Sequence, residues 1–156
     1  MISYEDLAKE VPIIFDDNAV LPTGLKGIFI ESSVADMILL NKNIETNTER
    51  KCILSEELGH YYRTVGDITD QSKLENQQQE LRARQWGYEK LVPLPSLVQA
   101  FHARIKGRFE LAEYLRVTEE FLQASIDRYS SKYGIYTTWE NYIIYFNPLG
   151  VAEMFE

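Results

Sequence analysis

The N-terminal part of the chain alternates short apolar runs with turn residues, which predicts a small sheet. The strand-like runs are VPIIF, IFIE and ADMILLN, and the residues that separate them include proline, glycine and asparagine. Runs this short and this closely punctuated are typical of a small antiparallel sheet. Ahead of them, Ser3 and Asp6 have the spacing of a capping pair, which predicts a short helix over Tyr4–Lys9.

The spacing of apolar residues becomes helical from about Thr46 to Arg63. A core-facing stripe is available from four residues of this segment: Ile53, Leu54, Leu58 and Tyr61. The polar stretch VGDITDQSKLENQQQ follows and favours a loop that leads into a second helix near Lys73. This helix should end before Pro93, because a proline disfavours helical geometry in the residue that precedes it.

Two prolines in LVPLPSL, Pro93 and Pro95, mark the predicted boundary as a short stiff link. Three helices are expected after it, because SLVQAFHARI, FELAEYL and VTEEFLQASIDRYSSKYG carry apolar residues three or four apart. The aromatic and β-branched segment YTTWENYIIYFNPLGVAEMF then predicts a strand or hairpin. We therefore expect an α+β protein with a core over residues 1–93 and a helical portion over residues 94–156, packed together as a single compact unit.

Composition and charge exclude several classes of protein. The 156 residues are 45% hydrophobic and 26% charged, which is the balance of a folded chain rather than a disordered one. The net charge of −8 disfavours direct binding to nucleic acid. Cys52 is the single cysteine, so an intramolecular disulfide and a cysteine-based zinc cluster are excluded. No apolar run has the length of a signal peptide or a membrane span, and we expect a cytoplasmic protein.

The segment ILSEELGHYY contains a near match to the H-E-x-x-H motif of helical zinc hydrolases. Residues three or four apart share a helix face, so Glu56, Glu57 and His60 can project into one neighbourhood. In the motif, Glu56 and His60 would hold the metal and Glu57 would be the general base. A third ligand is needed, and Glu80 on the second helix is our candidate. Three other carboxylates can compete for that role: Asp67, Asp70 and Glu75.

The chain resembles the ImmA/IrrE family of metallopeptidases. Besides EELGH, the segment ELRARQWGYEKLVP is similar to the family's second motif, in which a glutamate is followed by an alanine, an aromatic residue and a final proline. This places Glu80 on the family's third ligand position. The segments GLKGIFIE and YIIYFNPLGV also resemble family segments, in the expected order. The resemblance spans most of the chain and implies a minimal zincin-like fold, in which a small antiparallel sheet lies against the active-site helices.

The resemblance also implies an activity. It implies a metal-dependent endopeptidase that cleaves a helix-turn-helix transcriptional repressor of a phage or mobile element. The implied cofactor is one divalent transition metal held by Glu56, His60 and Glu80, for which zinc is favoured while manganese and iron stay open.

Glu56 departs from the family pattern, which has a histidine at this position. A second anionic ligand reduces the Lewis acidity of the ion compared with a second neutral imidazole. The alternative function is therefore a catalytically inactive family member that binds a repressor or another phage protein without cleaving it. One phenol of the nearby Tyr61, Tyr62 or Tyr88 is a candidate hydrogen-bond donor to the oxyanion of peptide hydrolysis.

Overall fold

The computed structural model describes residues 1–63 and 74–155. Two compact units are present, one formed by Ile2–Gly87 and the other by Met1 and Tyr88–Glu156. Helices and strands occur in both units, which confirms the α+β class. The predicted boundary at Pro93, and the packing of the two parts as a single compact unit, stay predictions.

The helices and strands of the first unit are, in chain order, α1 (Tyr4–Lys9), β1 (Ile14–Ala19), β2 (Gly27–Ile30), β3 (Met37–Asn41), α2 (Asn47–Arg63) and most of α3 (Leu74–Leu91). The first two helices begin at hydroxyl caps. The Ser3 Oγ accepts a hydrogen bond of 3.1 Å from the backbone N–H of Asp6, as the sequence predicts. The Thr46 Oγ1 accepts a bond of the same length from the N–H of Glu49. Each cap satisfies an N–H group that the first helical turn leaves unpaired.

The three strands of the first unit form a mixed sheet in the order β1-β3-β2. β2 pairs with β3 antiparallel, but β1 pairs with β3 parallel, so the prediction of an antiparallel sheet is wrong for β1. The reason is that β3 inserts between the two strands that precede it, which prevents β1 from pairing with its neighbour in the chain. The alternation of polar and apolar residues indicates which face of a strand is covered and not the direction of its partner.

Helix α2 lies against the edge strand β2. The contact depends on Gly27, because a Cβ atom added there would stand 2.6 Å from Cγ2 of Ile53 and 3.3 Å from Cγ of Glu57. The other side of α2 contributes Leu54 and Leu58 to the core, with 0% and 1% of their surface exposed. The missing side chain of Gly27 therefore allows the sheet edge to run directly beside Glu57.

Helices α2 and α3 approach each other closely at small residues. A Cβ atom at Gly59 would stand 2.0 Å from the carbonyl oxygen of Ala83, and one at Gly87 would stand 2.8 Å from the Oγ of Ser55. The two helices run antiparallel, because the later residue of α2 faces the earlier residue of α3. This packing places α3 near the functional face of α2.

The second unit contains α4 (Leu94–His102), α5 (Gly107–Leu115), α6 (Glu119–Tyr133), β4 (Tyr136–Trp139), β5 (Tyr142–Phe146) and β6 (Leu149–Glu153). The three predicted helices are confirmed, and Pro93 occupies the N-cap position of the first of them without a side-chain hydrogen bond. The three strands form an antiparallel sheet in the order β4-β5-β6, one strand more than a hairpin. The segment that predicts a strand or hairpin therefore forms three strands, and Pro148 occupies the turn between β5 and β6.

Candidate metal centre

The four predicted site residues lie on two packed helices of the first unit. Glu56, Glu57 and His60 belong to α2, and Glu80 belongs to α3. The Nε2 atom of His60 and the Oε2 atom of Glu80 are 3.3 Å apart, and only 18% and 21% of these side chains are exposed. The structure therefore brings Glu80 to His60, while the role of either residue as a metal ligand stays a prediction.

A cation that the sequence interpretation missed also contacts Glu80. The Nε atom of Arg84 lies 3.2 Å from the Oε1 atom of Glu80, one helical turn away on α3. The two carboxylate oxygens of Glu80 are thus engaged by different partners, Oε2 by His60 and Oε1 by Arg84. The spacing of Glu80 and Arg84, four residues apart on a predicted helix, is a signal that would have indicated this pair.

The edge strand β2 supplies a backbone group to the site. The backbone of Phe29 acts on the carboxyl group of Glu57 and opposes the rise in its pKa. The Phe29 ring makes an edge-to-face contact with Tyr61, at 5.9 Å between centroids. No residue type in the sequence indicates such a backbone contact, because it depends on the approach of β2 to α2 at Gly27.

Residues 18–127 match the Peptidase_M78 family, described as the IrrE N-terminal-like domain, and this span contains all four candidate residues. The chain belongs to this family. The resemblance to ImmA/IrrE proteins is therefore confirmed, and the family is one of metallopeptidases. No curated protein matches the chain significantly. No solved structure matches it significantly either.

Membership of the IrrE N-terminal-like family implies a divalent metal. The separation of the candidate ligand atoms can be compared with the separation that such an ion requires. A tetrahedral ion with bonds of about 2.0–2.2 Å separates adjacent ligand atoms by about 3.3–3.6 Å. The 3.3 Å between His60 and Glu80 agrees with this spacing, and imidazole and carboxylate are both common zinc ligands. These two residues therefore fit a metal.

The third predicted ligand is not assembled with the other two. Within residues 1–63 and 74–155, no group of three His, Cys, Asp or Glu side chains is arranged to hold a metal ion. Asp67 and Asp70, two of the competing candidates, lie outside the described residues. Glu75 is exposed in the first turn of α3. Glu56 lies on α2 at the position that the motif predicts, and its side chain is partly buried.

The carboxyl group of Glu57 has the electrostatics of a general base. Burial raises its pKa to about 7, and the negative charges of Glu56 and Glu80 act in the same direction. The charge of His60 and the N–H of Phe29 oppose this rise. A group with a pKa near 7 both accepts and returns protons efficiently at neutral pH.

His60 and Glu80 shift each other's pKa in opposite directions. Burial opposes the charged imidazole, but the hydrogen bond to Glu80 and the three neighbouring carboxylates raise the pKa of His60 overall. The same hydrogen bond lowers the pKa of Glu80, with further help from Arg84 and against the effect of burial. The two shifts agree with each other and describe an ion pair of charged His60 and charged Glu80.

Burial also raises the pKa of Glu56, with a contribution from the charge of Glu80. Arg84 provides the main opposing effect, ahead of His60. The permanent positive charge of Arg84 therefore lowers the pKa of both predicted carboxylate ligands, Glu56 and Glu80.

The candidate tyrosines lie in aromatic contacts. Tyr61 packs between Phe29 and Tyr62, and Tyr62 also contacts Trp86 with 5.0 Å between ring centroids. Tyr88 is 8% exposed and packs on Phe121 in the second unit. Tyr62 is 46% exposed and is the most accessible of the three phenols.

None of the helices in the described part of the chain combines the length and hydropathy that crossing a bilayer would require.

Proposed function

We propose that this chain is a metal-dependent endopeptidase that cleaves a helix-turn-helix transcriptional repressor. One observation carries the enzymatic part of the proposal: a partly buried Glu57 with a pKa of about 7 lies on the same helix as His60, which contacts Glu80 at 3.3 Å. A general base with a pKa near 7, together with a pair formed by a histidine and a carboxylate, supports peptide hydrolysis by this member of a metallopeptidase family.

The residues of the site would have distinct roles in the reaction. His60, Glu80 and Glu56 would hold the ion, which when bound would polarise the peptide carbonyl and make a water molecule more acidic. Glu57 accepts a proton from the attacking water and returns it to the amine nitrogen as the C–N bond breaks. The backbone of Phe29 opposes the rise in the pKa of Glu57 and so favours the carboxylate form that accepts the proton.

The proposed partner follows from the family resemblance together with the charge of the chain. A net charge of −8 is unfavourable for direct contact with a phosphate backbone, so control of transcription would act through a protein. A repressor encoded next to the gene for this chain, in a phage or mobile element, is the substrate that we propose. Zinc is the proposed metal, and manganese and ferrous iron are the ions to compare with it.

A cleavage assay tests this function. The purified chain would be incubated with the neighbouring helix-turn-helix repressor and zinc, manganese or ferrous ions, and the products would be identified by mass spectrometry. We expect a single cleaved bond, and we expect Glu57→Gln to reduce the rate at least about 100-fold because no other group in its position takes the proton. Glu45→Gln, which changes an exposed glutamate of the same unit, is the matched control. Equal cleavage by wild type and Glu57→Gln would contradict the proposal.

A second candidate function is binding of the repressor without cleavage. Two observations favour it: Glu56 replaces the histidine of the family motif, and no three-residue metal group is assembled in the described residues. The same assay separates the two functions when complex formation is measured by size-exclusion chromatography. A stable complex that is never cleaved with any of the three ions, but is cleaved by Glu56→His, would support the binding function.

A further inference from the structure

Arg84 is positioned to act on the metal site through Glu80. Its Nε atom lies 3.2 Å from Oε1 of Glu80, and the remaining oxygen of that carboxylate faces His60 at 3.3 Å. About half of the Arg84 side chain is exposed, so the guanidinium lies at the rim of the site and Glu80 lies further in. The positions of Glu80 and Arg84 four residues apart on one helix favour this contact.

The charge of Arg84 is permanent, because an arginine side chain is not deprotonated in proteins. It contacts Glu80 and also lowers the pKa of Glu56, so it acts on both carboxylates that are predicted to hold the metal. A cation in contact with a carboxylate competes electrostatically with any second cation that binds the same carboxylate. Arg84 therefore supplies part of the positive charge that a metal ion would bring.

We propose that Arg84 is a resident counter-cation of Glu80 that weakens the binding of a divalent metal and so sets the metal affinity of the site. This inference rests on the metal site of the proposed function. Arg84 is a positioning residue, since it acts through Glu80 and not on the substrate. Loading with metal would then require the guanidinium to give up or share Glu80.

The size of the effect follows from Coulomb's law. A unit charge about 6 Å from a divalent ion lowers the affinity about tenfold at the dielectric constant of water, and by more in a partly buried site. Removal of the charge should therefore tighten metal binding at least tenfold. The opposite sign is expected if Arg84 only orients Glu80, because loss of a group that supports a ligand weakens metal binding by about 10–100-fold.

The experiment is a zinc titration of the metal-free full chain in competition with a chromophoric chelator. Arg84→Met removes the charge and keeps an apolar stem, whereas Arg84→Lys keeps the charge. Arg82→Met is the matched control, since Arg82 is an exposed arginine of the same helix, about 200° around it from Glu80. We expect Arg84→Met to bind zinc at least tenfold more tightly than wild type. Arg84→Lys should remain close to wild type, and so should Arg82→Met.

The outcomes separate this inference from the proposed function. Zinc binding by Arg84→Met that equals that of wild type, or is weaker, would overturn the competition while leaving the metal site in place. A gain of the same size in Arg82→Met would also overturn it, because the effect would then reflect overall charge. Failure of all four proteins to bind zinc, manganese or ferrous ions would overturn the metal site and the competition together. Circular dichroism would establish that each variant is folded.

Discussion

Replacement of Glu57 by glutamine should change how the stability of the metal-free protein depends on pH. In the folded chain, burial and the charges of Glu56 and Glu80 raise the pKa of Glu57 from 4.5 to about 7. The folded state thus holds this proton more tightly than the unfolded state. The stabilisation is complete below about pH 4.5 and is lost as the pH rises through about 7.

The magnitude follows from the shift. A rise from 4.5 to about 7, at about 1.4 kcal/mol per pH unit, corresponds to about 3 kcal/mol of folding free energy. His60, whose pKa is also raised, loses its stabilisation in the same direction as the pH passes above 6.5. Glu80 has a lowered pKa, so its contribution to the stability is lost only below pH 4.5, where its carboxylate becomes protonated. The free energy of unfolding should therefore fall between pH 5 and pH 7.5.

The measurement is urea denaturation in the presence of a chelator at several values between pH 5 and pH 7.5. We expect wild type to lose about 2.5 kcal/mol more than Glu57→Gln over this range, so that the variant is the more stable protein at pH 7.5. Glu45→Gln, at an exposed position, should follow wild type. Parallel curves for wild type and Glu57→Gln, or a wild type that gains stability over this range, would refute the reasoning.

Two further predictions concern packing. Gly59→Ala would place a methyl group 2.0 Å from the carbonyl oxygen of Ala83, so α2 and α3 must separate. We expect the free energy of unfolding, measured by urea denaturation, to fall by about 1–3 kcal/mol. Gly150→Ala should show no comparable loss, because Gly150 has open space around it. In the second unit, Tyr129→Phe removes the hydrogen bond of 2.8 Å from the Tyr129 hydroxyl to the carbonyl oxygen of Val92. It should cost about 1 kcal/mol, and an unchanged unfolding midpoint would contradict this assignment.

The helices were predictable from the sequence because local interactions determine them. Ser3 fixes the start of α1, and Pro93 limits the extent of α3. The direction of β1 was not predictable, since it depends on pairing with β3 across about twenty intervening residues. The number of strands in the last segment was not predictable for a different reason: Pro148 disfavours a central strand position but is well accommodated in the turn that precedes the edge strand β6.

The site was predictable to different degrees. Helical spacing alone places Glu56, Glu57 and His60 near one another. The approach of Glu80 depends in addition on Gly59, because a side chain there would collide with α3. The general-base electrostatics of Glu57 could not be read from residue types, since burial is the largest cause of its raised pKa.

Glu56 and Arg84 carry opposite charges within one cluster, and this bears on the meaning of the EELGH variant. Relative to the histidine of the family pattern, Glu56 adds a negative charge next to Glu57 and Glu80, which by itself would draw a metal more strongly. Arg84 adds a positive charge that contacts Glu80 and lowers the pKa of Glu56 against the effect of burial. The two charges have opposite signs, so Arg84 offsets part of the negative charge that Glu56 adds. If Glu56 holds the metal as we propose, the substitution at this position would redistribute charge between Glu56 and Arg84 instead of simply removing a ligand.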